Sequence, residues 1–139
     1  MRIFLDTNVI LDVLAKRDPW FTDSATVLSL LDSEEVEGFA AAHSITNLFY
    51  LTRKHLGQRH ASEALLNLLS ILAVAPVDQD SILKALALGW PDFEDALQMV
   101  CATNSHVDYL VSRNKADFES TSLPIVTPAE LLTLLRSSS

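Results

Sequence analysis

Arg2-Ile3-Phe4-Leu5-Asp6-Thr7-Asn8-Val9-Ile10-Leu11-Asp12 follows Met1 and sets the reading of everything after it. Ile3, Phe4 and Leu5 are consecutively apolar, as expected of a parallel strand buried on both faces. The run stops at Asp6, and Val9, Ile10, Val13 and Leu14 then recur at helical spacing up to about Ala15. A strand that ends on a carboxylate and passes into a helix is the opening of an α/β domain. In such domains ligands gather beyond the carboxyl ends of the strands.

The alternation continues downstream. Asp18-Pro19 breaks the pattern, and a second helix is expected from about Thr22 to Leu31. Gly38 to Ala42 is a second strand, and Ser44 opens a helix that closes near Gly57. His60 to Leu72 carries Ala61, Ala64, Leu65, Leu68, Leu69 and Leu72 on one stripe. Ala73 to Val77 is a third strand, placed at an edge or near its end by Pro76. Asp80 to Leu88 is helical with Gly89 as its C-cap, and Pro91-Asp92 starts the next helix. Tyr109 to Ser112 and Leu123 to Val126 are the last strands. Thr127-Pro128-Ala129-Glu130 then combines an N-cap, a first-position proline and a capping-box glutamate. The expected fold is a three-layer α/β/α domain with a central parallel sheet of about five strands. A single domain spans 1–136, with a short serine tail at 137–139.

Composition narrows the function. The 139 residues are 49% hydrophobic and 20% charged, which suits a globular chain. Ten basic residues against eighteen acidic ones leave a net charge of -8, so a broad basic nucleic-acid face is excluded. Arg53, Lys54, Arg59 and Lys115 still supply local positive charge. One cysteine, Cys101, excludes an internal disulfide and a cysteine-based zinc cluster, and three scattered glycines exclude glycine-rich phosphate loops. His43, His55, His60 and His106 lack metalloprotease spacing. The most apolar stretch is interrupted by Asn67 and Ser70, short of the roughly 20 residues that span a bilayer. Without a secretory pattern at the N-terminus, the expected setting is cytoplasmic, with no membrane partner.

Polar residues at strand ends carry the chemistry. Asp6 either caps the first helix or has a functional role. Asp92 sits where an N-cap belongs, and capping is its better reading; Asp95 follows at a spacing that shares a helix face. Asn114 and Asp117 follow the fourth strand, where both also suit a turn. Asp12 reads as a solvated or ion-paired residue, and Trp20 and Trp90 as packing residues. If the ends of strands one and four meet the Asp92 helix start, Asp6, Asp95 and Asp117 crowd together. Crowded carboxylates raise one another's pKa unless a cation compensates, and an oxygen-only set favours Mg2+ or Mn2+. Such an ion activates water for phosphodiester hydrolysis.

Ile3 to Asp12, Asp92-Phe93-Glu94-Asp95-Ala96-Leu97-Gln98 and Leu110 to Phe118 together resemble the acidic motifs of the PIN (PilT N-terminus) domain family, in order and spacing over essentially the whole chain. The resemblance implies adjacent first and fourth strands, and the metal-dependent ribonuclease activity of VapC-like toxins on single-stranded or structured RNA. It also implies an antitoxin protein as partner. By it, Asp6, Asp95 and Asp117 are the catalytic, metal-binding acids, with Asn114 assisting. Asn47 stands where the family has a glutamate; its amide can ligate a metal but brings no charge. The alternative is therefore a weak or inactive domain that binds RNA or protein. Thr7, Asn8, Asp92, Ser112 and Arg113 are expected as supporting or RNA-contacting residues. Asn8 stands where a haloacid-dehalogenase-like phosphatase needs its second acid, which counts against that class. Surplus leucines such as Leu51 and Leu66 on the helices from Ser44 to Leu72 point to a homodimer.

Overall fold

A computed structural model describes residues 1–118 and 123–137. Five strands form one wholly parallel sheet: β1 (Arg2–Leu5), β2 (Glu37–Ala41), β3 (Leu72–Ala75), β4 (Tyr109–Val111) and β5 (Ile125–Val126), in the order β3-β2-β1-β4-β5. The helices are α1 (Thr7–Leu14), α2 (Phe21–Leu31), α3 (Ala42–Leu56), α4 (Gln58–Leu69), α5 (Gln79–Leu88), α6 (Phe93–Asn104) and α7 (Pro128–Ser137), among the described residues. Ser138 and Ser139 of the expected serine tail lie outside them.

β1 is the central strand, and the alternation of its side chains divides the core. Ile3 and Leu5 pack with α1, α2, α3, α4 and α7 residues on one face. Phe4 points to the other face, with Ala85 of α5 and Leu97, Val100 and Cys101 of α6. This is the expected three-layer arrangement. β2 lies close to α2: a Cβ on Gly38 would come within 2.6 Å of Leu31 Cδ1, so any other residue there would require the Leu31 side chain to shift.

Boundaries moved where local chemistry ruled. α3 starts at Ala42 rather than Ser44, because β2 runs straight into it with Ala41 as the cap. Ser44 is consequently an interior, buried position. α4 ends before Leu72, which joins β3 instead; β3 is an edge strand, and Pro76, which has no N–H to donate, lies just past its end. Gly89 closes α5 in the left-handed region at φ 66°. At α7 the capping box is complete: the Glu130 N–H donates to Thr127 Oγ1, and the Thr127 N–H donates to Glu130 Oε1. Leu51, expected among the surplus leucines, packs against the core, whereas Leu66 is 69% exposed. Trp90 meets the Phe118 ring edge-on in a packing contact.

Candidate metal centre

The β1–β4 register pairs Leu5 with Val111, and the Asp6 N–H donates to the Val111 carbonyl. That places Asp6 beside Ser112, each the first residue beyond its strand. Asp6 occupies the N-cap position of α1 but makes no capping hydrogen bond. Its carboxylate, nearly inaccessible, is held by two neutral donors instead. Ser112 Oγ donates to Oδ2 at 2.8 Å and Gln98 Nε2 donates to Oδ1 at 3.0 Å. Burial is the main reason that the Asp6 carboxyl is raised above its ordinary range; the Ser112 and Gln98 side chains and the Asn8 backbone N–H lower it, and the charge of Asp117 raises it.

α6 delivers the next acids because Asp92 caps it: its side chain accepts from the Asp95 N–H at 3.2 Å. Asp95 is half-buried, and its carboxyl is pushed up to about 7, first by burial and then by the charges of Asp92, Asp6, Asp117 and Glu94. Asp117 reaches the same place from the exposed 3-10 turn Lys115–Asp117 after β4. The structure thus brings Asp6, Asp95 and Asp117 into electrostatic reach of one another. Glu94 joins them: burial and Asp92 raise its carboxyl, a bond from the Thr7 side chain lowers it, and Asp6 raises it.

The other expected residues divide. Thr7 works through neighbours: its N–H donates to Gln98 Oε1 at 3.1 Å and its hydroxyl to Ser44 Oγ at 2.7 Å. Asn47 is exposed on the turn of α3 after Ser44, and among the described residues no hydrogen bond joins it to the acids. Asn114 contributes its backbone N–H, which donates to Ser112 Oγ at 3.1 Å. Ser112 is fully buried, and its hydrogen bond supports Asp6. Arg113 and Asn8 are engaged elsewhere: Arg113 donates to Asp12 Oδ2 at 2.8 Å, with its guanidinium 3.8 Å from the Trp20 ring centre. The Asn8 side chain accepts from Arg17 at 3.4 Å, in that same arginine group.

Sequence reasoning gave Glu94 no role of its own and did not single out Gln98 or Ser44. Glu94 lay inside a recognised acidic stretch. Gln98 carried a faint signal, a polar residue within an otherwise apolar helix face. Among the described residues, no three acidic, histidine or cysteine side chains stand close enough to hold an ion as they are. The donor chemistry fits a hard divalent cation all the same. It consists of carboxylates and neutral oxygens, and the acids that raise one another would be relieved by positive charge.

Fold and site together define a parallel α/β domain with a group of carboxylates beyond the ends of β1 and β4 and at the start of α6. The PIN domain family model matches residues 2–116, and the chain belongs to that family. It is similar to Ribonuclease VapC1 of Aquifex aeolicus (strain VF5), at 25% identity over 134 residues that cover 93% of this chain and 92% of that protein. Solved structures share the fold. One is a toxin-antitoxin complex from Klebsiella pneumoniae, with TM-score 0.68, 19% identity and 91% of this chain and 97% of that one covered. Another is VapBC2 of Rickettsia felis bound to a promoter DNA fragment, with TM-score 0.67, 17% identity and 91% and 97% covered. VapC20 of Mycobacterium tuberculosis, described as a Sarcin-Ricin loop cleaving toxin, has TM-score 0.63, 17% identity and 78% and 86% covered.

Proposed function

We propose that this chain is a Mg2+- or Mn2+-dependent endoribonuclease that hydrolyses phosphodiester bonds of single-stranded or structured RNA, acting as the toxin of a cytoplasmic toxin-antitoxin pair. One observation carries the reading. Asp6 is buried on neutral donors only, within reach of Asp95 and Asp117, in a chain of the PIN domain family. In this reading Asp6, Asp95 and Asp117 hold the ion. A bound ion would supply an activated water and stabilise charge on the phosphate. Ser112 fixes one oxygen of Asp6, and Asp92 fixes the start of the helix that presents Asp95. With a carboxyl at about 7, Asp95 gives up its proton near neutrality, so metal binding strengthens as pH rises through 7. Glu94 supplies the acidic charge that Asn47 lacks, from α6 rather than α3.

The test is cleavage of a labelled RNA by chelator-stripped protein, with the ion added back and Asp95→Asn prepared identically. Metal-dependent cleavage absent from the mutant is expected. No cleavage by the natural protein alongside cleavage by Asn47→Glu would favour the second reading, an inactive binding domain, which rests on Asn47. The relatives that are toxin-antitoxin complexes support an antitoxin as partner. Exposed Tyr50, Leu56 and Leu66 on α3 and α4 support a homodimer, which a monomeric mass by light scattering would refute. No helix among the described residues is long and apolar enough to cross a membrane.

A further inference from the structure

α6 is buried continuously from Ala96 to Ala102, and Gln98, 1% exposed, is the one residue in that run with a polar head group able to donate and accept. An amide in such a place is costly unless both its ends are bonded, whereas leucine or methionine would suit the packing without that cost. Both ends are bonded here, and the bonds allow only one orientation. The Thr7 N–H can only donate, so it requires Gln98 Oε1, which lies 3.1 Å away. The Nε2 end is thereby turned to Asp6 Oδ1, 3.0 Å away. Thr7 is itself tied to Ser44 of α3, so a single side chain links the start of α1, the start of α3 and the carboxylate of Asp6.

We propose that Gln98 is the positioning residue of this centre: it holds Asp6 at a set orientation and distance from Asp95, its neighbour one helical turn earlier on α6. The inference rests on the metal-dependent reading above. Because Gln98 is neutral, it fixes Asp6 without cancelling the charge that an ion needs. Its counterpart on the other oxygen, Ser112, is also neutral.

Gln98→Met keeps the volume and apolar character and removes both hydrogen-bonding ends. The readouts are Mn2+ binding by calorimetry on the full chain, the split between kcat and KM on RNA, and the circular dichroism spectrum. Mn2+ affinity about tenfold to a hundredfold weaker, as when a hydrogen-bond partner of a metal ligand is lost, is expected, with kcat lowered, KM for RNA unchanged and a native spectrum. Mn2+ affinity and kcat within twofold of the natural protein would overturn the proposal and leave Gln98 a packing residue. If Gln98→Met does not fold, Gln98→Asn decides, since it keeps an amide in the core but is one methylene too short to bond Asp6 and the Thr7 N–H together. Several-fold weaker Mn2+ binding supports the role, and unchanged binding overturns it. Asp6→Asn separates the two layers of argument. If the natural protein binds no Mn2+, or binds it as Asp6→Asn does, the metal-dependent reading itself fails and the role of Gln98 falls with it.

Discussion

Asp6 and Asp12 flank and belong to the same short helix, both are buried, and their surroundings are opposite. Asp12 is fully enclosed, with Arg17 Nε on one oxygen and Arg113 Nε on the other, each at 2.8 Å. Asp6 has a hydroxyl and an amide in the same two places. A buried carboxylate between guanidinium groups has its charge answered within the protein. One held by neutral donors among other acids keeps its charge unanswered, at an energetic cost that a bound cation would relieve. Type and position of donor, rather than depth of burial, separate the ion-paired aspartate from the one proposed to hold the ion.

The largest expected effect sharpens that contrast. Asp6→Asn abolishes metal-dependent RNA cleavage, yet the protein is no less stable than the natural one at pH 8, because the costly buried charge is gone. Activity measured beside a thermal melt checks both halves. An Asp6→Asn protein that is inactive because it has unfolded would break the comparison. Asp12→Asn should do the reverse, losing about 3 kcal/mol of stability because two arginines are left facing a neutral amide. Both guanidinium groups reach solvent, which keeps the loss near the lower end of the range for a broken buried pair. The melting temperature should fall by roughly 10 °C, with Mn2+ affinity of the remaining folded protein retained.

A smaller effect follows from pH. Asp95 releases its proton near 3.8 in the unfolded chain and at about 7 in the folded one. Between those values the folded state holds the extra proton, so the contribution of Asp95 to metal-free stability falls as pH rises across the window and is gone above about 7. Asp6 and Glu94, also raised by burial, act in the same direction. Melts of the metal-free protein from pH 4 to 8 should therefore show this decline, flattened in Asp95→Asn. Added Mn2+ should raise the melting temperature more at pH 8 than at pH 5, because it binds the deprotonated acids. Equal stabilisation at both pH values would show that these carboxylates do not bind the ion.

How much of this could be read beforehand varied with the range of the interaction. Asp6 was visible because a strand, a carboxylate and a helix follow one another directly, and the sheet did the rest by setting β4 beside β1. The capping role of Asp92 is local, and it was legible as such. Asp12 could be read as solvated or ion-paired, but one of its partners is Arg113, which the fold brings in from the end of β4. No local pattern announces such a pair, so Arg113 read as a residue for RNA phosphates. Gln98 was equally hidden, since a glutamine on a helix looks the same whether it meets water or a buried aspartate. Asn47 marked a departure from the acidic pattern, whereas the closeness of Glu94 to Asp6 exists only in three dimensions.

The smallest effect tests whether the two aspartates are independent. Trp20, 40% exposed, lies against the Arg113 guanidinium, so Arg113 is held by Asp12 and by the indole ring together. An attraction of this kind at a partly exposed site contributes about 1 kcal/mol. Trp20→Ala should thus lower the melting temperature by only a few degrees, roughly 3 °C. Arg113 is also the chain neighbour of Ser112, which holds Asp6. If Asp12 and its arginines serve only stability, Trp20→Ala leaves Mn2+ affinity and kcat unchanged. A clear loss of Mn2+ affinity at this small cost in stability would mean that loosening Arg113 shifts Ser112 as well. The buried ion pair would then belong to the support of the acidic centre, and the line between the two aspartates would have to be redrawn at Arg113.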